Sequence, residues 1–394
     1  MPRHKQELVF ARRLNMTIYT KLFSCVILLI FGALFYFLVW TQPSPCGSQM
    51  LNCSNDETEF DGYDRNSQYI SLPNGRRIAV DVLRPTKSRE LVKGPMPVLF
   101  TQTVYNRAAH LVKDYKVQNS TLIDTSGIKW LVLKLSGLFV GGEYIADQTM
   151  MVPWTKKLIQ DGYIVVAADA AGTGASFGNP HRSVDGYVED ANLMMDWIIA
   201  QPWSNGRIGV YGQSFGAYTA YTALATHHRA LKAAFVASVP LHPYETVGYP
   251  NGLYAKGFAE NYIALTDDLD NLATVTNDED AHELLTKAIA NRSKERFSDQ
   301  IADIFRSSPN KEMPSKKYSL SWAELSAEPI IERAANSNVP VFVIGGWLDM
   351  FINDTIEAHN LNKAPSRLVL RPWPHHPLFQ PFADMDPAAD AQLW

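Results

Sequence analysis

Six short apolar runs rich in β-branched residues recur along the chain: PVLF (97–100), YIVVAAD (163–169), RIGVYG (207–212), AAFVASVP (233–240), PVFVIGG (340–346) and RLVL (367–370). A strand with one wet face alternates apolar and polar side chains, whereas a strand that is apolar throughout is covered on both faces. Such strands, separated by helical stretches, predict an α/β fold with a mostly parallel sheet between helical layers. Ahead of them, the strand-like runs Tyr69–Leu72 and Arg77–Leu83 flank Pro73-Asn74-Gly75, and Asn-Gly in that position predicts a hairpin. One stretch breaks the alternation. Residues 243–335 are polar and helix-prone, which predicts a helical cap inserted between two strands. With 394 residues, 46% of them hydrophobic and 19% charged, the chain can bury the large core such a domain needs.

A different pattern governs the N-terminus. Residues 22–40, LFSCVILLIFGALFYFLVW, hold no charge, and at about 1.5 Å per residue a helix of that length matches one bilayer core. This predicts a transmembrane anchor. Arg3, Lys5, Arg12, Arg13 and Lys21 precede it against the single acid Glu7, while Asp56, Glu57, Glu59, Asp61 and Asp64 follow before the first base, Arg65. The positive-inside rule then puts residues 1–21 in the cytoplasm and the rest outside: a polar stalk over 41–67 and the α/β domain over 68–394. In that oxidising space Cys46 and Cys53 could close a small disulfide loop.

The chemical signal is Gly212-Gln213-Ser214-Phe215-Gly216, which follows a strand and precedes the helix-prone AYTAYTALATHH. A serine on a tight strand-to-helix turn stands clear of the sheet, and small flanking residues make that turn possible. The following helix N-terminus, through the N–H of Phe215, would stabilise an oxyanion. A serine hydroxyl needs a histidine base, and that base needs an acid to fix its tautomer. In this fold the chain order is serine, acid, histidine, the last two just beyond later strands. PVFVIGG runs into Trp347-Leu348-Asp349, and RLVLRPW into Pro374-His375-His376. Asp349 is thus the expected acid and His375 or His376 the expected base.

These segments resemble the X-Pro dipeptidyl-peptidase and cocaine-esterase (CocE/NonD) family of serine hydrolases. The resemblance rests on GYIVVAADAAGTGASFG, Asp190 and WIIAQPWSNGRIGVYGQSFGAY within the stretch 162–218, on GGWLDMF (345–351) and LVLRPWPHH (368–376), and on PVLFTQTVYNR (97–107). It implies an α/β-hydrolase fold, Ser214 as nucleophile, Asp349 as acid and His375 as base. It further implies an oxyanion hole made by the Tyr105 hydroxyl and the Phe215 N–H. Two departures stand out. The family's common Asp-x-Arg-Gly is Asp169-Ala170-Ala171-Gly172 here, so an arginine expected to brace that loop is lost. The family's C-terminal β-sandwich is expected to be lacking, because only 19 residues follow His375.

Other classes fit poorly. A net charge of −4 does not suit a nucleic-acid partner. Gly172-x-Gly174-x-x-x-Gly178 is one residue too long for a dinucleotide fingerprint, there is no Gly-Lys for a phosphate loop, and His-Glu-x-x-His is missing, so no cofactor or metal is expected. The reading is a membrane-anchored serine hydrolase acting on a small ester or a short Xaa-Pro peptide. The rival is a catalytically inactive, membrane-anchored binding module with the same fold. Asp267, Asp268 and Asp270 could help bind a substrate amine, although a solvated helix face is the commoner role of such a cluster. No feature of the sequence speaks to oligomeric state.

Overall fold

The computed structural model describes residues 59–112, 143–152, 154–292 and 295–375. The strands are β1 (Gly62–Ser71), β2 (Arg77–Lys87), β3 (Glu90–Leu91), β4 (Met96–Thr103), β5 (Ala109–Val112), β6 (Glu143–Ala146), β7 (Ile164–Asp169), β8 (Ser204–Gln213), β9 (Leu231–Ala237), β10 (Val341–Gly346) and β11 (Ser366–Arg371). The main sheet runs in the order β1-β2-β7-β4-β8-β9-β10-β11, with β3 on the edge of β2. Pairing is antiparallel for β1, β2 and β3 and at β2-β7, and parallel from β7 through β11. Each of the six apolar runs lies within or across the strand expected of it. In β7 and β10 every residue is buried, as strands covered on both faces must be.

The expected hairpin forms, pairing Ser71 with Arg77 through Gly62 with Thr86. Strand β1 therefore starts inside the stretch expected to be a stalk (41–67). It is the sheet's edge, with one neighbour. Its outward side chains can stay polar, so GYDRNSQYIS reads as linker in sequence and pairs as strand in space.

Helices α1 (Trp154–Gln160), α2 (Val184–Ile199) and α3 (Phe215–Leu224) follow β6, β7 and β8. After β9 come α4 (Lys256–Asp268), α5 (Ala281–Asn291), α6 (Phe297–Ser307) and α7 (Glu328–Ala335), then α8 (Ile352–Leu361) between β10 and β11. The insertion's apolar residues, among them Ile301, Ile304 and Phe305 of α6 and Trp322, are continuous with the core under the sheet, and Phe305 stands edge-on to that indole at 4.9 Å. Its last helix, expected within the cap (243–335), belongs instead to the layer over the sheet, where α7 packs on α2, α3 and α8. Its buried Ile330, Ala334 and Ala335 sit at the spacing of a helix with one apolar face.

Among the described residues no helix is long and apolar enough to cross a membrane. This corrects the expected single-pass localisation with an external hydrolase domain. The described helices are amphipathic or packed on the sheet, and their apolar side chains are spent on the protein's own core. The 22–40 run, Cys46 and Cys53 lie outside the described residues.

Candidate active site

The site grows from the C-terminal ends of the parallel strands, where an open α/β sheet leaves its crevice. Strand β8 turns directly into α3, and the residue at the turn, Ser214, has φ 56° and ψ −126°. That backbone is strained for a side chain bearing a Cβ, by about 1–3 kcal/mol. Hydrogen bonds on both sides hold it: Ser214 N–H donates to the Ala237 carbonyl at 2.9 Å, and Ser214 C=O accepts from Tyr218 N–H at 3.0 Å. Gly212 is obligatory, since a Cβ there would overlap the carbonyl of Gly216.

Strand β10 delivers the acid. Beyond Gly346 the Asp349 N–H donates to the Gly346 carbonyl at 3.1 Å, while Trp347 and Leu348 donate to Arg371 and Trp373. These two bonds lace the acid's loop to the segment that carries the histidine. Gly346 is required here as well, because a Cβ would strike the Trp373 backbone.

His375 completes the line. Its Nε2 lies 3.0 Å from Ser214 Oγ and its Nδ1 lies 3.0 Å from Asp349 Oδ1. Phe351 N–H donates to the same carboxylate oxygen at 3.0 Å, and the Phe351 ring stands edge-on to the imidazole at 5.0 Å. Burial works against ionising Asp349, but His375, the nearby Ser238 hydroxyl and the Phe351 N–H outweigh it, holding its pKa below the ordinary carboxylate value. A carboxylate so held keeps a proton on Nδ1 of the imidazole and leaves Nε2 to accept from serine.

Tyr105 stands just past β4, with its hydroxyl 3.4 Å from Ser214 Oγ. Burial raises its pKa, opposed in part by the Ser214 and Tyr262 hydroxyls and the N–H of Phe215. The five residues expected in the site, Ser214, Asp349, His375, Tyr105 and Phe215, therefore converge. His376 lies outside the described residues.

Three contributors were not foreseen. Gln213 Nε2 donates to the His375 carbonyl at 2.8 Å, so the residue before Ser214 also holds the backbone of His375. Arg107, fully buried two residues after Tyr105, reaches Asp169 at 2.6 Å and Asp81 at 2.9 Å, and its own N–H meets Asp169 at 2.5 Å. Tyr262 of α4 brings its hydroxyl to 3.3 Å from that of Tyr105. Gln213 lies inside the serine motif and Arg107 closes the 97–107 segment, but none of the three contacts leaves a local signal, since the partners are 162, 62 and, for Tyr262, 157 positions away.

The arginine missing after Asp169 has a counterpart from the insertion. Arg292, fully buried, donates to the carbonyls of Gly174 at 2.6 Å and Ser176 at 3.2 Å and pairs with Asp270 at 2.7 Å. As for metals, His242, Asp354 and Glu357 place one donor atom each within 4.8 Å of one another. The His242 ring nitrogens already face Glu357 at 2.9 Å and Glu328 at 3.3 Å, so both of its ligand atoms have carboxylate neighbours within the protein.

A parallel sheet with a strained serine after β8, an acid after β10 and a histidine after β11 defines an α/β-hydrolase. Within that class, the chain belongs to the X-Pro dipeptidyl-peptidase (S15) family, whose model matches residues 74–377. It is 24% identical over 327 residues to the cocaine esterase of Rhodococcus sp. (strain MB1 Bresler), covering 78% of this chain and 48% of that protein. Its fold is that of an aminopeptidase from the marine sediment archaeon Thaumarchaeota archaeon, with TM-score 0.52 and 17% identity over 84% of this chain and 52% of that one. An α-amino acid ester hydrolase gives TM-score 0.52 and 16% identity, covering 85% and 52%. The chain spans about half the length of each of these three, and 31% of other curated relatives.

Proposed function

We propose that the chain hydrolyses a small ester through an acyl-enzyme on Ser214. The observation that carries this reading is the continuous line Asp349–His375–Ser214, 3.0 Å at each step, ending on a serine whose strained turn faces it outward. Ser214 Oγ attacks the carbonyl carbon as its proton passes to His375 Nε2, and Asp349 stabilises the imidazolium that forms. Negative charge develops on the carbonyl oxygen, where the Tyr105 O–H and Phe215 N–H can donate. Collapse returns the proton from His375 to the departing alcohol. Water, activated by the same imidazole, then attacks the acyl carbon and frees Ser214.

An ester is favoured over a peptide gripped by its free amine. Two of the cap acids that could have received an ammonium are already occupied: Asp267 is paired with Arg296, and Asp270 with Arg292. The relatives' names cover both chemistries, a cocaine esterase and an amino-acid ester hydrolase on one side and an aminopeptidase on the other. The rival reading of an inactive binding module draws no support from a family of hydrolases.

The test is parallel incubation with a fluorophosphonate probe, a p-nitrophenyl acyl ester and an Xaa-Pro amide. The probe should label the protein and the ester should turn over faster than the amide. Ser214→Ala should abolish labelling and lower turnover by about 10⁴-fold or more. Labelling that survives this substitution would move the nucleophile elsewhere, and faster cleavage of the amide would reverse the substrate assignment.

A further inference from the structure

We propose that Tyr262, on the inserted helix α4, is a positioning residue for the oxyanion donor: its O–H donates to the Tyr105 oxygen and so commits the Tyr105 O–H to the substrate. The proposal rests on the reading of Tyr105 as an oxyanion-hole donor. A phenol has one proton to give and an oxygen that also accepts. Around the Tyr105 oxygen stand the Tyr262 hydroxyl at 3.3 Å, Ser214 Oγ at 3.4 Å and the N–H of Phe215. Were Tyr105 to give its proton to Tyr262, it would keep none for Ser214 or for an oxyanion.

The opposite direction satisfies more groups. With Tyr262 donating, both phenolic protons are used, one on Tyr105 and the other on Ser214 in the resting site. Groups withdrawn from water favour the arrangement that leaves fewest unpaired. Desolvation, first of all, raises the pKa of Tyr262, so its phenolic proton stays in place and can be donated. The ring has little freedom to turn away, being stacked on Phe258 at 5.5 Å and edge-on to Tyr105 at 6.5 Å. A hydroxyl that accepts a hydrogen bond is a better donor in its turn. The insertion thereby acts on the chemistry through one hydrogen bond, without touching the reacting atoms.

The test measures kcat and KM on a p-nitrophenyl acyl ester for Tyr262→Phe, Tyr105→Phe and the double variant, each well below its own melting midpoint. Tyr262→Phe should lower kcat by about five- to thirtyfold and shift KM by less than about twofold; in the Tyr105→Phe background the same change should alter kcat by less than about twofold. An unchanged kcat in Tyr262→Phe overturns the proposal and leaves the Tyr105 reading standing. So does a raised KM at constant kcat, the mark of a substrate contact, or an equal loss in both backgrounds, the mark of an effect that bypasses Tyr105. If Tyr105→Phe alone leaves kcat unchanged, the oxyanion reading itself fails, by a separate measurement. Should Tyr262→Phe not fold, Tyr262→Leu takes its place, since it also removes the hydroxyl, adds no other donor and keeps an apolar side chain against Phe258.

Discussion

Single atoms decide the outcome at the residue scale. Tyr105→Phe preserves the ring and deletes the hydroxyl that, on the proposed mechanism, donates a hydrogen bond that strengthens only as the oxyanion forms. It should lower kcat roughly 10²–10³-fold with little change in KM, measured by steady-state hydrolysis of a p-nitrophenyl ester; a loss below about tenfold would make the tyrosine merely structural. Gln213 acts one step back from the chemistry. Its amide fixes the carbonyl of the base, so Gln213→Leu, similar in size but without a donor, should let the imidazole drift from Ser214. The expected loss is about tenfold in kcat, because small displacements in a catalytic line are costly. An unchanged kcat would show that the bonds from Trp347 and Leu348 to Arg371 and Trp373 hold the histidine segment on their own.

At the scale of elements, the insertion and the loop after β7 are joined by Arg292. Its guanidinium is fully buried, and donates to two loop carbonyls and to Asp270. Arg292→Met keeps most of the stem but removes every one of those donors. Leaving the carbonyls and a carboxylate uncompensated should cost about 3–5 kcal/mol, read as a lowered Tm in thermal unfolding. A Tm within a degree or so of the parent would mean that water replaces the arginine. The elbow is a second case of element geometry dictating a residue, since the crossing of β8 into α3 leaves no room for a Cβ at 212. Gly212→Ala should disrupt the fold locally, whereas a glycine with open space around it, such as Gly75, is held only by its positive φ.

For the whole molecule, stability should carry a pH signature from Asp354. Burial pushes this carboxyl up from 3.8 to about 6, against the opposing hydrogen bonds of the His242 and Leu241 N–H groups. Its folded-state pKa exceeds its unfolded one, so the folded protein binds the proton more tightly. That contribution is complete below about pH 3.8 and is lost as pH rises to about 6 and beyond. Asp354→Asn keeps an oxygen for the His242 N–H at 2.9 Å and removes the charge. Its stability relative to the parent should therefore rise between pH 4 and pH 7, by up to about 3 kcal/mol. Thermal melts of both proteins across that range would check it, and a pH-independent difference would exclude the carboxyl from the balance.

How much of this was legible follows from which forces are local. Apolar periodicity and turn chemistry act between near neighbours, so the six apolar strands, the hairpin at Asn74-Gly75 and the strand-to-helix turn at Ser214 could be read from the chain, although the edge strand β11 is only partly buried. Ser214, Asp349 and the pair His375 or His376 stood out as candidates as well, because the order of strands fixes which strand ends meet; the choice of His375 came from the family resemblance. The polar edge strand β1 was hidden, since an edge needs only one apolar neighbour. The apolar run at 22–40 suggested an anchor by length alone, and the membrane localisation built on it is not upheld. Contacts that depend on two distant segments arriving together had no signature: Arg107 on Asp81 and Asp169, Arg292 on the 174–176 carbonyls, Tyr262 on Tyr105. The sequence by itself determined a covered parallel sheet and the chemistry at its strand ends. Only the tertiary structure decided which insertion side chains reach the loop after β7 and the Tyr105 hydroxyl, because hydrogen-bond partners are chosen by proximity in space and leave no period in the chain.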